Sequence, residues 1–360
     1  MRRIGDVYHD IVKMENLELA ARKACSSRRD RDEVAAFLKD REKKLKKLQQ
    51  SLLDHSYHTS PYRMFDTMEN GKLRHIADLP LFPDRIFHWA IALALEDRLN
   101  AKLIDQTHGS RPGHGIHSAI EEVRGYIRHD DRIRYYLKMD VSKFFPSIDK
   151  AIMKSKLRDV IKDRELLFEF DKLVDEYPES GLPIGNRTSP MLANLYLSQM
   201  DHAMKEIHHC HYYTRYIDDI LILGYSKEWL HKIRNIVVTY LEEIGLKMKG
   251  NWCIRPITEG IDYVGYRIFP EYTLLRKRTA TKIKAVSVNM LSRLEQGKRL
   301  TKHDYGTISS YKGSLKWCNG YNLYRSTIWK VERKAQENNE LRKAAFAWRS
   351  FYKEMEQYYA

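Results

Sequence analysis

The chain has 360 residues, of which 43% are hydrophobic and 31% charged, and it carries a formal charge of +15. That length can bury a substantial core and suggests two or three subdomains. No apolar run reaches the roughly 18 residues of a membrane span, and the first two dozen residues lack the apolar segment of a secretory signal, so neither a membrane nor an export role is expected.

Taken in order, residues 29–56 read as one strongly charged helix with apolar positions at Val34, Phe37, Leu38, Leu45 and Leu48. Residues 59–80 alternate aromatic and polar side chains around Asn70-Gly71, a hairpin signal. Helical periodicity returns over 84–103 and 115–127, and 133–140 reads as a strand ending at Asp140. Asp149 is placed to cap a following helix, 181–185 is a loop, and a helix is expected over 189–207. Residues 211–223, rich in β-formers around Asp218-Asp219, predict a hairpin, 227–244 a helix and 261–269 one short strand. The last 80 residues look mainly helical. Strands mixed with helices, with hairpins among them, predict an α+β fold rather than a parallel doubly wound sheet.

Four dispersed cysteines, Cys25, Cys210, Cys253 and Cys318, contain no Cys-x-x-Cys pair and suit free thiols in a reducing cytoplasm. His208-His209-Cys210-His211 suggests a metal, but in extended chain neighbouring side chains point to opposite faces and no second ligand pair stands near. Charge is uneven: residues 271–360 carry 19 Lys and Arg against 8 Asp and Glu. So basic a segment usually meets nucleic acid, although a solubilising surface is the plainer alternative.

The chemistry-bearing pattern is Tyr216-Ile217-Asp218-Asp219 between apolar β-formers. Paired carboxylates beside buried strands are costly unless a cation neutralises them, whereas a solvent-exposed Asp-Asp turn is common. Asp140, ending a second apolar strand, supplies a third carboxylate. Three such groups are what a two-metal phosphoryl-transfer site needs, with Mg²⁺ ions bridging attacking and leaving oxygens.

These motifs, with GLPIGNRTSPMLANLYLSQMD between the first aspartate and the hairpin, KLRHIADLPLFPDRIFHWAI and THGSRPGHGIHSAI before it, and IDYVGYRI after it, resemble a reverse transcriptase over roughly residues 72–266. The resemblance implies a right-hand polymerase with fingers, a palm bearing an antiparallel sheet, and a helical thumb. It divides the chain into an N-terminal helical extension (1–60), fingers (61–135 and 150–185), palm (136–149 and 186–270) and a basic thumb with C-terminal extension (271–360). It implies that Asp140, Asp218, Asp219 and the Val141 carbonyl hold two Mg²⁺, with Mn²⁺ as a substitute. Phe145 falls where the family places the aromatic gate against a ribose 2′-hydroxyl, and Phe144 reads as core. Lys72 and Arg74 sit where fingers residues grip the triphosphate, and Tyr216, Gly185 and Ser189 are grouped with the nucleotide-contacting residues, with Asn194 on the helix beneath. Lys249 is a candidate acid for pyrophosphate, with Lys247 competing. The partners implied are an RNA template, a DNA or RNA primer and dNTPs.

Accurate members usually carry Gln where this chain has Ile184, whose side chain cannot donate a hydrogen bond. That feature, with DVSKFFPSIDK, YIDDILILG and GIDYVGYRIFPEYTLLRK, resembles the bacterial and phage enzymes of diversity-generating retroelements. Those copy a template-repeat RNA with errors and work with a small basic pentameric accessory protein. One departure stands out: Thr188-Ser189-Pro190 replaces that group's Thr-Ser-Gln. Ser-Pro is similar to group II intron, retron and retroviral-type enzymes, which keeps an antiphage-defence enzyme with a structured noncoding RNA as the alternative. A third reading, of another class, is an inactive polymerase-derived RNA-binding scaffold. In 311–330, Lys and Arg interleave with Tyr311, Trp317, Tyr321, Tyr324 and Trp329, a pattern suited to phosphates and packing.

Overall fold

The structure is a computed structural model that describes residues 3–26, 28–69 and 71–338. Asn70 of the predicted hairpin turn and residues 339–360 of the basic C-terminal segment lie outside the described residues.

The chain opens with α1 (Tyr8–Val12), α2 (Met14–Ser26), α3 (Asp32–Lys39) and α4 (Arg41–Leu53). The charged helix expected over 29–56 is thus two helices. The backbone leaves helical geometry at Asp40 (φ −123°), and the Lys44 ammonium donates to the Ala36 carbonyl at 2.7 Å, satisfying the end of α3. Leu38, read as an apolar-face residue, is exposed. The hairpin follows as β1 (Arg63–Glu69) and β2 (Lys72–Asp78), paired antiparallel with Glu69 opposite Lys72.

Next come α5 (Ile86–Asn100), α6 (Ile116–His129), β3 (Tyr135–Asp140) and the single turn α7 (Phe144–Ser147). In α8 (Lys150–Val160) the Asp149 side chain accepts the Ile152 N–H at 2.9 Å, the expected cap. Asp163 caps α9 (Arg164–Asp175) through Leu166 N–H with one oxygen, and takes the Val7 and Tyr8 N–H groups at 2.7 and 2.9 Å with the other. Ile4 bridges Ile161 beside this clamp.

The helix α10 (Ser189–His202) is buried almost all round, as a helix apolar on every side must be. Pro190 sits in its first turn, where a missing N–H leaves nothing unpaired. The hairpin β4 (Tyr213–Tyr216) and β5 (Asp219–Gly224) and the helix α11 (Lys227–Glu243) complete this region. The strand β6 (Cys253–Pro256) closes a four-stranded sheet of order β4-β5-β3-β6. Antiparallel pairing sets Asp140 opposite Asp219 and Leu137 opposite Ile222.

The chain divides into two compact units, Met1–Ala119 with Tyr135–Ile254 and Ile120–Arg134 with Arg255–Ala360. The first holds the four-stranded sheet packed on α10 and α11, with a core that includes Leu137, Met139, Leu195, Tyr196, Ile220 and Ile222. In the second, the expected single strand over 261–269 is instead a tight hairpin, β7 (Ile261–Tyr263) and β8 (Tyr266–Ile268), joined by β9 (Thr273–Leu275) in a three-stranded sheet. The chain reverses at Val264-Gly265, both at positive φ, and the glycine makes that affordable sterically. Among the described residues four helices follow: α12 (Lys277–Glu295), α13 (Lys302–Leu315), α14 (Tyr321–Ser326) and α15 (Ile328–Glu337). Tyr324 is core, Tyr311, Trp317 and Trp329 are half-buried, and Tyr321 is exposed. Among the described residues no helix is long and apolar enough to cross a membrane.

Candidate active site

Asp140 is the last residue of β3 and Asp219 the first of β5, and the two are register partners. Asp218 occupies the β4–β5 turn beside them, with its carbonyl accepting the Val141 N–H at 3.3 Å. Both strands are largely buried, with Leu137 and Met139 on β3 and Ile220 to Leu223 along β5, and the register brings the carboxylates to one sheet end. Burial first, then the Asp140 charge, push the Asp218 carboxyl up to about 6. Asp219 is likewise raised to about 6 by burial, with Asp140 and Asp218 adding to it and Lys138 opposing.

Two lysines answer this concentration of charge. The Lys249 ammonium donates to Asp140 Oδ1 at 2.6 Å, and its backbone N–H donates to the Asp140 carbonyl at 2.8 Å. Lys138, two residues before Asp140 and therefore on the same face of β3, lies 3.4 Å from Asp219 Oδ2. Lys247, the competing acid, is exposed and offers its carbonyl to Ser142 N–H.

The donor set suits a hard divalent cation: three carboxylates on adjoining strand ends, with the Asp219 Oδ1 atom buried and without a hydrogen-bond partner. In the side-chain arrangement observed, no three acidic, His or Cys groups among the described residues already enclose an ion. Asp140 and Asp219 each turn one oxygen toward a lysine ammonium.

Phe144 is buried, as read from sequence, and Phe145 is half-buried with its ring 5.7 Å from it. The Phe145 carbonyl accepts the Leu182 N–H at 2.9 Å, which ties the turn α7 to the 181–185 loop. Gly181 (φ +79°) makes this possible, because a Cβ there would lie 2.1 Å from the Phe145 oxygen. At the other end of the loop the Ile184 carbonyl accepts the Ala77 N–H at 2.9 Å. Gly185, grouped from the sequence with the nucleotide-contacting residues, packs closely on β2: a Cβ there would lie 2.6 Å from the Ala77 carbonyl oxygen. Lys72 and Arg74 lie exposed on the β1–β2 hairpin, Arg74 near Glu69 at 3.7 Å. Ser189 is buried at the start of α10, and Tyr216, opposite Asp219, is half-buried, its phenol raised by that burial.

A family model described as reverse transcriptase (RNA-dependent DNA polymerase) matches residues 64–268, which run from β1 to the end of β8 and take in all three aspartates. The chain belongs to the reverse transcriptase family. It is similar to the group II intron-encoded protein LtrA of Lactococcus lactis subsp. cremoris, at 31% identity over 172 residues, 44% of this chain and 28% of that protein. It is also similar to the retron Ec73 reverse transcriptase of Escherichia coli, at 32% over 140 residues, 35% of this chain and 43% of that protein. This reverse transcriptase chain therefore spans less than half the length of these curated relatives. Among solved structures, apo telomerase from Candida tropicalis shares the fold, with a TM-score of 0.50 at 10% identity over 77% of this chain and 60% of that one.

Sequence reasoning missed four residues around the family's aspartate turn. Lys138 was findable from its two-residue offset to Asp140. Arg215, Asp201 and Gly109 come together only through the fold: Arg215 and Asp201 are both 0% exposed and joined by two hydrogen bonds, Nε to Oδ1 at 2.8 Å and Nη2 to Oδ2 at 2.5 Å.

Proposed function

We propose that this protein is an RNA-directed DNA polymerase whose reaction centre is Asp140, Asp218 and Asp219. The observation that carries it is the register pairing of Asp140 with Asp219 beside the Asp218 turn, which gathers three carboxylates at one end of a buried sheet. Two Mg²⁺ held by these groups and the Val141 carbonyl would supply Lewis-acid activation of a primer 3′-hydroxyl and neutralise charge on the departing pyrophosphate. The chain's own residues do the rest. β3 and β5 fix the three carboxylates against a core that cannot shift independently of them. Phe145, held through its carbonyl, presents a rigid ring against a ribose 2′-hydroxyl, and Lys72 and Arg74 supply cations for the triphosphate. Lys249, already at Asp140, is the better placed of the two lysines to donate a proton to the leaving group. The exposed Lys282 and Lys284 on α12, with the wider basic character of the second unit, suit the phosphates of an RNA template paired to its primer.

Asp218→Ala is expected to abolish Mg²⁺-dependent extension of oligo(dT) on poly(rA) while RNA binding by filter assay stays intact. Equal extension by variant and wild type would remove the assignment, and with it the preference over an inactive scaffold.

The finer reading is error-prone copying of a template-repeat RNA in a diversity-generating retroelement of a bacterium or phage, in the cytoplasm and with a small basic accessory protein. Ile184 supports it: an aliphatic side chain stands where a hydrogen-bonding one would check base-pair geometry. Ile184→Gln should lower misincorporation, most at template adenine, and an unchanged error spectrum would leave this reading without its main support. Ser189-Pro190 and the likeness to a retron enzyme favour the second reading, an antiphage-defence enzyme acting with a structured noncoding RNA.

A further inference from the structure

Ile217, between Tyr216 and the two turn aspartates, has φ +56°, a region that a β-branched side chain strongly disfavours. Something must hold it there, and the surroundings show what does. The Arg215 guanidinium donates from Nη1 to the Ile217 carbonyl at 2.6 Å. Arg215 is itself locked by the Asp201 carboxylate and, through Nη1, by Asn194 Oδ1 at 3.2 Å. Asn194 spends its other amide atom on the Gly109 carbonyl, Nδ2 to O at 2.7 Å. Gly109 in turn packs against Ile217: a Cβ there would lie 2.5 Å from Ile217 Cδ1 and 2.9 Å from its backbone nitrogen.

The loop carrying Gly109 is fixed as well, with His108 N–H donating to the Arg215 carbonyl and Arg215 N–H to the Gln106 carbonyl, both at 2.9 Å. The contacts form a closed ring: Arg215 to Ile217, Ile217 against Gly109, Gly109 to Asn194, Asn194 back to Arg215.

We propose that Arg215, Asp201, Asn194 and Gly109 are positioning residues that hold Ile217 in its left-handed conformation and thereby set where Asp218 and Asp219 stand for catalysis. The assignment rests on the polymerase reading of those aspartates. None of the four meets substrate; they act through one backbone carbonyl and one steric stop. Arg is suited to the task because its planar fork bonds the carboxylate and the carbonyl together, which a lysine ammonium cannot reproduce.

The test is Gly109→Ala, which crowds Ile217 and leaves the Arg215–Asp201 pair untouched. Four quantities are read: kcat and KM for dTTP on poly(rA)/oligo(dT), Mn²⁺ affinity from the free-ion paramagnetic resonance signal, and the unfolding temperature. A misplacement of the turn predicts kcat lowered by a factor of about ten to a hundred, weaker Mn²⁺ binding and a KM that is little changed. Ile217→Ala in the same background removes the crowded side-chain atoms and should restore part of both losses. Wild-type kcat and Mn²⁺ affinity in Gly109→Ala, or losses that Ile217→Ala does not relieve, overturn the proposal. Should Gly109→Ala fail to fold, Arg215→Lys decides: Ile217→Gly, free to adopt positive φ, must recover part of its deficit, and no recovery overturns the assignment. Asp218→Ala runs alongside. If it extends primers like wild type, the polymerase reading fails and this proposal falls with it; if it is inactive while the positioning variants behave as wild type, the positioning role alone is refuted.

Discussion

Asp201→Asn tests how much stability depends on the buried ion pair beneath the aspartate turn. Both partners are 0% exposed, and the Asp201 carboxylate accepts four hydrogen bonds: Tyr213 hydroxyl at 2.5 Å, Arg215 Nε at 2.8 Å, Arg215 Nη2 at 2.5 Å and Thr107 hydroxyl at 3.3 Å. Asparagine keeps the volume but converts one acceptor oxygen into a donor aimed at groups that are themselves donors. The carboxylate charge facing the guanidinium is then lost. Removing one partner of a buried pair costs about 3–5 kcal/mol. The lower end, about 3 kcal/mol, is expected here, because Arg215 retains the Ile217 carbonyl and both Asn194 oxygens as acceptors. Urea unfolding followed by far-ultraviolet circular dichroism measures the change. Arg215→Met with Asp201→Leu, which removes both charges, should be less destabilised than the sum of the single variants. A loss below about 1 kcal/mol for Asp201→Asn would refute the reasoning, since it would mean the pair is neither dry nor uncompensated when broken.

Two further outcomes follow from buried groups elsewhere. His88, wholly buried with Nδ1 on the Thr188 hydroxyl and Nε2 unpartnered, has its pKa lowered to about 4 by burial first and Arg85 second. The folded state therefore binds this proton less well than the unfolded chain, so the stability is complete above the ordinary value of 6.5 and lost as pH falls toward 4. Urea titrations at pH 7 and 4.5 should show wild type losing about 2 kcal/mol more than His88→Gln, and equal acid losses would contradict this. Gly181→Ala forces a methyl against the Phe145 and Pro146 backbone at positive φ, and should cost about 2–4 kcal/mol. By moving Phe145 it should also narrow the preference for dTTP over rUTP in kcat/KM. An unchanged preference would count against Phe145 as the 2′-hydroxyl gate.

What was legible in the sequence depended on local signals. Strands β3 and β5 were readable because each is a short run of apolar β-formers with a carboxylate at one end, and the α8 cap because Asp149 acts three residues along its own chain. Failures had tertiary causes. The break between α3 and α4 lies inside a stretch with a helical apolar pattern, and it shows only in the folded backbone, at Asp40 and in the Lys44 bond to Ala36. The 261–269 reversal puts a β-branched Val264 at positive φ, a position that turn preferences assign to Gly or Asn. Arg215 and Asp201 are 14 residues apart, and nothing in their neighbours' chemistry announces that they meet in the core. Gly109 looked like one of several loop glycines until its missing Cβ proved to be the space occupied by Ile217.

The shared carboxylate of Asp163 gives the N-terminal segment a standing its charged sequence does not suggest. One oxygen closes the first turn of α9 while the other receives two amides at the start of α1. Displacing Asp163 as α9 frays removes the acceptor from the amides of both elements, so the start of α1 is tied to the start of α9. The segment that opens the chain thus belongs to the same cooperative folding unit as the helix it touches more than 150 residues later.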